Sequence, residues 1–317
     1  MKTLPAVDVV IVGGGWTGLL MAKELGSRTP LSVVVLERGE ARHTSDYLSD
    51  MDELDYAVRH RMMQDLSKET WTLRHSLKDG ALPVRQYGSF EPGTGVGGAG
   101  EHWAGAFDRM LPDCFELYSK IVERYGARTL PEDHSIQDWG ITYDELEPYY
   151  ARTELLTGAS GKAGNIRGKL IEGGNAFEGW RSAEYPTPPT KIPYYCTLFR
   201  TAVSSLGYHP YPCPTATISE AYTNPDGVSR PGCTYCGYCA RFGCMIGAKA
   251  QPSTTLLPVI EKHKNVTIRT GAPVRRIVHQ TANGKGQARG VNYMTAEGDE
   301  VFQPAELVIL SSWTLNN

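Results

Sequence analysis

Hydrophobic positions in the first forty residues follow a strand, helix, strand order. Val7 to Val12 (VDVVIV) is an almost unbroken run of β-branched residues, the pattern of a strand buried on both faces of a parallel sheet. It gives way to Gly13-Gly14-Gly15-Trp16-Thr17-Gly18, after which Leu19 to Leu25 reads as a helix. Ser32 to Leu36 (SVVVL) reads as a second buried strand, closed by Glu37-Arg38-Gly39. The alternation then stops. Asp52 to Met63 reads as a polar-faced helix and Thr70 to Leu77 as a strand, together an excursion from the sheet. Asp108 to Tyr125 predicts a loop followed by a helix with Phe115, Leu117, Ile121 and Val122 as its apolar positions. Trp139 to Tyr150 contains a helix start, because Thr142 and Glu145 have capping-box spacing. Gly158 to Gly174 and Pro186 to Pro193 read as surface loops or a lid. Towards the end, Val266 to Arg269, Val274 to His279, Ala288 to Met294 and Glu300 to Gln303 read as strands. Turns at Ala282-Asn283-Gly284 and Glu297-Gly298-Asp299 join them as a meander, and Leu307 to Leu310 returns as a buried strand.

The glycines bring chemistry into this frame. Gly13, Gly15 and Gly18 fit the G-x-G-x-x-G fingerprint between a strand and a helix. The first permits a tight turn, the second lets a pyrophosphate approach the backbone, and the third lets the helix pack closely on the strand. Glu37 lies about 20 residues further on, where an acid accepts hydrogen bonds from ribose hydroxyls. A second glycine-rich stretch, Gly93 to Gly105 (GTGVGGAGEHWAG), reads as a backbone pressed against the same dinucleotide. A flexible linker is the other reading, and His102 and Trp103 argue against it, since linkers rarely carry large rings. The glycines alone leave NAD and FAD both open.

Charge narrows the partners. A formal net charge of -3 over 317 residues gives no reason to expect nucleic acid. No apolar run is long enough to span a membrane, and six residues before the first strand are too few for a signal peptide. Four of the seven cysteines cluster as Cys233-x2-Cys236-x2-Cys239-x4-Cys244, close to bacterial ferredoxin spacing with one extra residue in the last gap. An iron–sulfur cluster, a zinc ion held by four thiolates, and disulfides are the three fates open to them. Cys114, Cys196 and Cys213 stand apart and read as small buried hydrophobes.

Several stretches together resemble the glucose–methanol–choline (GMC) family of FAD oxidoreductases, within it most closely the gluconate 2-dehydrogenase flavoprotein and sugar-dehydrogenase branch. They are VIVGGGWTG, VLERG, GTGVGGAGEHWAG with FDRMLPDCF, WGITYDELEPYYARTE, CTYCGYCARFGCMIGAKA, VTIRTGAPVRRI and AELVIL, and they run from about residue 7 to 311. The resemblance implies FAD. Carried over, it puts Gly13, Gly15, Thr17 and Gly18 at the pyrophosphate, Glu37 and Arg38 at the ribose, Gly97 and Gly98 at the flavin end, and the Val274 backbone at the adenine. Val96 to Trp103 also resembles the pyranose-oxidase segment in which a histidine just before a tryptophan is bonded to the flavin 8α-methyl. That makes His102 a candidate for covalent flavin attachment, or else for packing on the flavin. Ala104 departs from the asparagine of many gluconate-type members. The resemblance also implies an iron–sulfur cluster on Cys233, Cys236, Cys239 and Cys244, although the long-chain alcohol oxidase branch carries similar cysteines without an established redox role.

The expected fold class is α/β: a Rossmann-like FAD-binding domain of GMC or glutathione-reductase type with an incomplete α+β substrate domain. The expected division is residues 1–50 for the FAD-binding βαβ unit, 51–85 for the excursion, 86–115 for the flavin-contacting segment, 116–230 for a partial substrate domain, 231–250 for the cysteine segment, and 251–317 for the return to the FAD domain with its meander. The family's active-site histidine and its partner fall beyond Asn317, so no catalytic residue is named and the chain reads as C-terminally truncated. The implied activity is oxidation of a CH–OH group of a sugar or sugar acid, with electrons leaving through the cluster to a cytochrome c subunit. A small export subunit would carry the protein to the periplasm or a membrane surface, with a cytoplasmic location as the alternative. The rival readings are a truncated, non-catalytic FAD-binding remnant or interaction subunit, and an NAD(P) enzyme.

Overall fold

A computed structural model of the protein describes residues 2–47, 71–74, 76, 78–84, 92–282 and 285–313. The chain forms two compact units. One comprises Met1–Ala104, Gly237–Gly247 and Gln251–Asn317, the other Gly105–Cys236 and Ala248–Ala250. The helix expected over Asp52 to Met63 and the tip of the turn at Asn283-Gly284 lie outside the described residues.

The first unit is built on the expected strand–helix–strand segment. Strand β1 (Val7–Val12) leads through the glycines into helix α1 (Trp16–Arg28) and then into β2 (Val33–Leu36). Later come β3 (Val266–Arg269), β4 (Val274–Ala282), β5 (Lys285–Met294) and β6 (Glu300–Leu310). The sheet order is β3-β2-β1-β6-β5-β4, and the short strand Lys2–Thr3 also pairs with β6. Strands β3, β2, β1 and β6 run parallel, and β6, β5 and β4 form the antiparallel meander. Period-2 alternation points Val10, Val12, Val34 and Leu36 to one face, where they pack with Ala272, Val291, Tyr293, Val301 and Ala305. On α1, Gly18, Leu19, Ala22, Lys23 and Gly26 are buried. A Cβ on Gly26 would lie 2.5 Å from Val266 Cγ2, which shows how closely helix and sheet approach there. Asp8 Oδ2 accepts from the Ser32 N–H (2.7 Å) and hydroxyl (2.6 Å), locking the starts of β1 and β2 together. The Ser32 hydroxyl and N–H hold the Asp8 carboxyl below its ordinary pKa.

Two expectations are corrected here. Glu300 to Gln303 and Leu307 to Leu310 are one continuous strand, β6, that belongs to both the meander and the parallel sheet. Pro304 is accommodated opposite Gly290, which sits at φ 136° and where a Cβ would come within 2.2 Å of the Gln303 carbonyl. The strand expected over Thr70 to Leu77 spans Trp71–Leu73 and pairs with Leu82–Val84.

In the second unit, helix α2 (Leu117–Tyr125) follows a short helical turn, Pro112–Phe115, and α3 (Tyr143–Thr157) begins at the predicted capping box. The Glu145 carboxylate accepts from the Thr142 N–H at 2.8 Å, and the Thr142 hydroxyl accepts from the Glu145 N–H at 3.3 Å. Helix α4 (Tyr194–Ser205) was not expected from the sequence, and none of its residues is buried. The interior of this unit is ionic. Arg109 makes a bidentate bond to Glu154 at 2.8 Å on each arm and a third to Glu147 at 3.1 Å. Arg181 also reaches Glu154, and its guanidinium lies over the Tyr185 ring. Burial opposes the Arg109 charge, but Glu154 outweighs it and holds Arg109 above its ordinary value. Burial would raise Glu147, yet the Ser182 N–H and Arg109 leave it lowered. For Glu178 burial wins, and its carboxyl is raised.

Candidate cofactor site

The turn after β1 is closed everywhere except at one glycine. Gly13 sits at φ 104°, and a Cβ there would meet Ser312 Cα at 2.9 Å. A Cβ on Gly14 would meet Glu37 Cβ at 3.2 Å, and one on Gly18 would meet the Gly13 carbonyl oxygen at 2.0 Å. At Gly15, among the described residues and apart from its own backbone and chain neighbours, nothing lies within 4 Å of that position. Gly15 is the N-cap of α1; it supplies no side-chain cap, and the first turn carries no acidic residue. A helix start left uncapped beside an open space presents N–H groups and a partial positive charge, the features that bind a pyrophosphate.

The second glycine-rich stretch comes directly against the first. Gly15 and Gly97 form a parallel bridge, and the Gly97 N–H donates to the Gly14 carbonyl at 2.7 Å. Gly95, Gly97 and Gly98 have φ of 94°, 97° and 55°, which side chains rarely tolerate. A Cβ on Gly98 would stand 3.5 Å from Gly15 Cα. Both glycine runs therefore border one cradle, and neither is a free linker.

Glu37 stands at the end of β2 and is buried. Its carboxylate accepts from three backbone N–H groups: Gly14 at 2.8 Å, Gly39 at 2.9 Å and Gly95 at 3.2 Å. It thus joins the two glycine runs as well as lying where ribose is expected. A carboxylate offers about four lone-pair sites, so capacity remains for a hydroxyl. Val274 opens β4, just after Ala272, whose N–H donates to the Glu37 carbonyl at 2.9 Å. Thr17 is exposed and Arg38 half-buried. His102 is buried, and its carbonyl accepts from the Arg241 N–H at 2.7 Å. Trp103 meets Trp16, the first residue of α1, edge to face at 6.1 Å.

Cys236 is exposed, and Cys233, Cys239 and Cys244 are half-buried; of the other cysteines, expected to be buried, Cys213 is exposed and Cys114 and Cys196 are half-buried. Among the described residues no group of three or more His, Cys, Asp or Glu side chains is gathered to hold a metal ion.

Sequence reasoning missed Glu101, Ser311 and Gln251. Glu101 accepts four hydrogen bonds beneath the Gly97 turn. The Ser311 hydroxyl lies 3.0 Å from the Val12 carbonyl and 3.1 Å from that of Gly13, at the end of β6. Glu101 and Ser311 bond partners far away in the chain, whereas Gln251 also caps the short helix Pro252–Thr255 with Thr254, a local signal that could have marked it.

Two family models match the chain: FAD dependent oxidoreductase over residues 8–156 and GMC oxidoreductase over residues 220–317. Over 99% of its length the chain is 43% identical to the gluconate 2-dehydrogenase flavoprotein of Pantoea cypripedii, covering 52% of that protein. It is 32% identical to the fructose dehydrogenase large subunit of Gluconobacter japonicus, over 78% of the chain and 42% of that protein. The chain thus spans about half the length of these relatives. Among solved structures, pyridoxine 4-oxidase from Mesorbium loti superimposes with a TM-score of 0.52 at 19% identity, over 96% of this chain and 49% of that one. An FAD-dependent oxidoreductase from Chaetomium thermophilum gives 0.53 at 16% identity, over 96% and 45%. These two likenesses carry the fold alone. The 43% identical relative and the two family models show that the chain belongs to the GMC family of FAD flavoproteins.

Proposed function

We propose that this chain provides the FAD-binding part of a dehydrogenase that oxidises a CH–OH group of a sugar or sugar acid. The open cradle at Gly15, framed by Gly97 and Gly98, is the observation that carries the cofactor reading. Two relatives bearing the names gluconate 2-dehydrogenase and fructose dehydrogenase support the substrate class. Gly13, Gly15, Thr17 and Gly18 would hold the pyrophosphate, Glu37 and Arg38 the ribose, Val274 the adenine side, and Gly97, Gly98 and His102 the flavin side. FAD, when bound, supplies a hydride acceptor. The chain's own part is to bind and orient it: the α1 N-terminus offsets phosphate charge, and the glycine backbones let the cofactor approach.

His102 is proposed as the flavin-side histidine, with a covalent bond as its strongest form; flavin that stays with acid-precipitated protein supports the bond, and flavin released wholly to the supernatant refutes it. Among the described residues no helix is long and apolar enough to cross a membrane. Export through a small partner subunit and electron transfer to a cytochrome c subunit are parts of the same proposal. They place the protein in the periplasm or at a membrane surface through its partners. The spacing of Cys233, Cys236, Cys239 and Cys244 alone supports an iron–sulfur role; iron with a reducible EPR signal would support it and a colourless zinc protein would refute it. The proposed activity is tested by mixing FAD-loaded protein anaerobically with gluconate, fructose and other sugars. Bleaching of the flavin band by a sugar or sugar acid supports the dehydrogenase. FAD binding without bleaching by any of them keeps the cofactor reading and shows that residues 1–317 alone do not oxidise these sugars.

A further inference from the structure

Glu101 has the most heavily used carboxylate around the Gly97 turn, and its partners come from two distant parts of the first unit. It is 1% exposed. Oε2 accepts from the Tyr47 hydroxyl at 2.6 Å, Gln251 Nε2 at 2.7 Å and the Ser253 hydroxyl at 2.7 Å, and Oε1 accepts from the Ser253 N–H at 2.9 Å. The carboxylate folds back under its own turn: a Cβ on Gly97 would come within 2.1 Å of Oε1. Glycine at 97 is therefore what lets the carboxylate sit there.

The same partners hold the loop that carries Cys239 and Cys244. Gln251 is fully buried and bridges: its Nε2 donates to Glu101 and its Oε1 accepts from the Cys244 N–H. Tyr47 packs against Phe242, and a Cβ on Gly243 would stand 2.5 Å from its ring. Arg241, at φ 69°, donates its N–H to the His102 carbonyl at 2.7 Å. Side-chain, backbone and packing links thus tie the cysteine loop to the residues on either side of Glu101.

We propose that Glu101 and Gln251 are positioning residues that lock the Gly97–His102 turn and the Cys239–Cys244 loop into one unit, so that occupancy on the flavin side is felt at Cys244. The proposal rests on the reading of Gly97, Gly98 and His102 as the flavin side. Buried networks of this kind are costly when half satisfied, so removing one member loosens the others.

The test is the alkylation rate of each cysteine by iodoacetamide, mapped by peptide mass spectrometry, with Cys114 and Cys213 as references in the same chain. Gln251→Leu removes the bridge, and Glu101→Gln alters it without touching Cys244. Both should speed Cys244 relative to Cys114 by about tenfold, the effect of one lost hydrogen bond. In the parent, loading with FAD should slow Cys244; in Gln251→Leu this slowing should vanish while flavin content persists. An unchanged Cys244 rate in both variants, or an equal rise at Cys114, overturns the proposal, as does an FAD effect that survives Gln251→Leu. If the parent takes up no FAD, the flavin reading fails by itself, and the comparison without flavin still decides the link. Should Gln251→Leu not fold, Tyr47→Phe deletes another donor to the same carboxylate and is read in the same way.

Discussion

Replacing Glu37 separates two roles that its position combines. The sequence alone expects Glu37→Ala to weaken FAD retention, on the order of 1–3 kcal/mol, through lost bonds to ribose. The structure adds a cost that does not need FAD. The carboxylate accepts from the N–H groups of Gly14, Gly39 and Gly95, and Glu37 is 6% exposed. Hydrogen bonds to a charged group are worth roughly 1.5–3 kcal/mol each, but they share one carboxylate and do not add. Water entering the vacated space would satisfy some of the freed donors. A net loss of about 3 kcal/mol is expected, or roughly 6–12 °C in the melting temperature of a unit of this size. Differential scanning fluorimetry of flavin-free protein measures it. Glu37→Gln keeps an acceptor for Gly39 and Gly95 but turns an amide donor towards the Gly14 N–H, so it should fall between parent and alanine. If flavin-free Glu37→Ala melts with the parent, the three bonds contribute nothing and the structural half of the argument is wrong.

Two further outcomes are expected. Gly18→Ala gains about 1 kcal/mol of helix propensity but loses roughly 1–3 kcal/mol to overpacking, since the methyl would sit 2.0 Å from the Gly13 carbonyl and 2.7 Å from the Ser311 hydroxyl; flavin content and melting temperature should both drop, and a fully loaded, stable variant would contradict this. Glu178 and Glu147 should respond to pH with opposite signs. Burial raises Glu178 in the folded state, so its folded form holds the proton more tightly and loses stability as pH rises through that value. Glu178→Gln, still an acceptor for the Gly164 and Asn165 N–H groups, should therefore gain on the parent between about pH 4 and pH 7. Glu147 is lowered, so its contribution is present above the ordinary carboxylate value and lost as pH falls, and Glu147→Gln should cost more at about pH 7 than at about pH 3. Urea unfolding at each pH reads both, and pH-independent differences would refute the assignment.

What was legible in the sequence was local or periodic. The run Val7 to Val12, the glycines, α1 and Glu37 follow in an order that one fold explains, and the Thr142 capping box lies within four residues. Helix α4 was illegible for a physical reason: Tyr194, Tyr195, Leu198 and Phe199 are all exposed, so no polar face alternates with a buried one. Strand β6 reads as two segments in the sequence, and only the pairing of Pro304 with Gly290 shows how one strand passes through the proline. Glu101 could not be found because its partners lie 54, 150 and 152 residues away. The ionic interior of the second unit joins Arg109 and Glu154 across 45 residues and was equally invisible.

The central claim is that the space beside Gly15 receives the pyrophosphate of FAD. Gly15 has φ −81°, and among the described residues nothing beyond its own backbone and chain neighbours lies within 4 Å of the point where an alanine methyl would stand, so Gly15→Ala should fold and lose at most about 1 kcal/mol as a poorer N-cap. The methyl would occupy the cradle itself. Fluorescence titration of flavin-free parent and Gly15→Ala with FAD, with NAD as the competing ligand, tests this directly. The account predicts that the parent binds FAD in preference to NAD and that Gly15→Ala binds it at least about tenfold more weakly, some 1.4 kcal/mol, with flavin-free melting within about 4 °C of the parent. Equal FAD affinity in the two proteins, or a parent that prefers NAD, would contradict it.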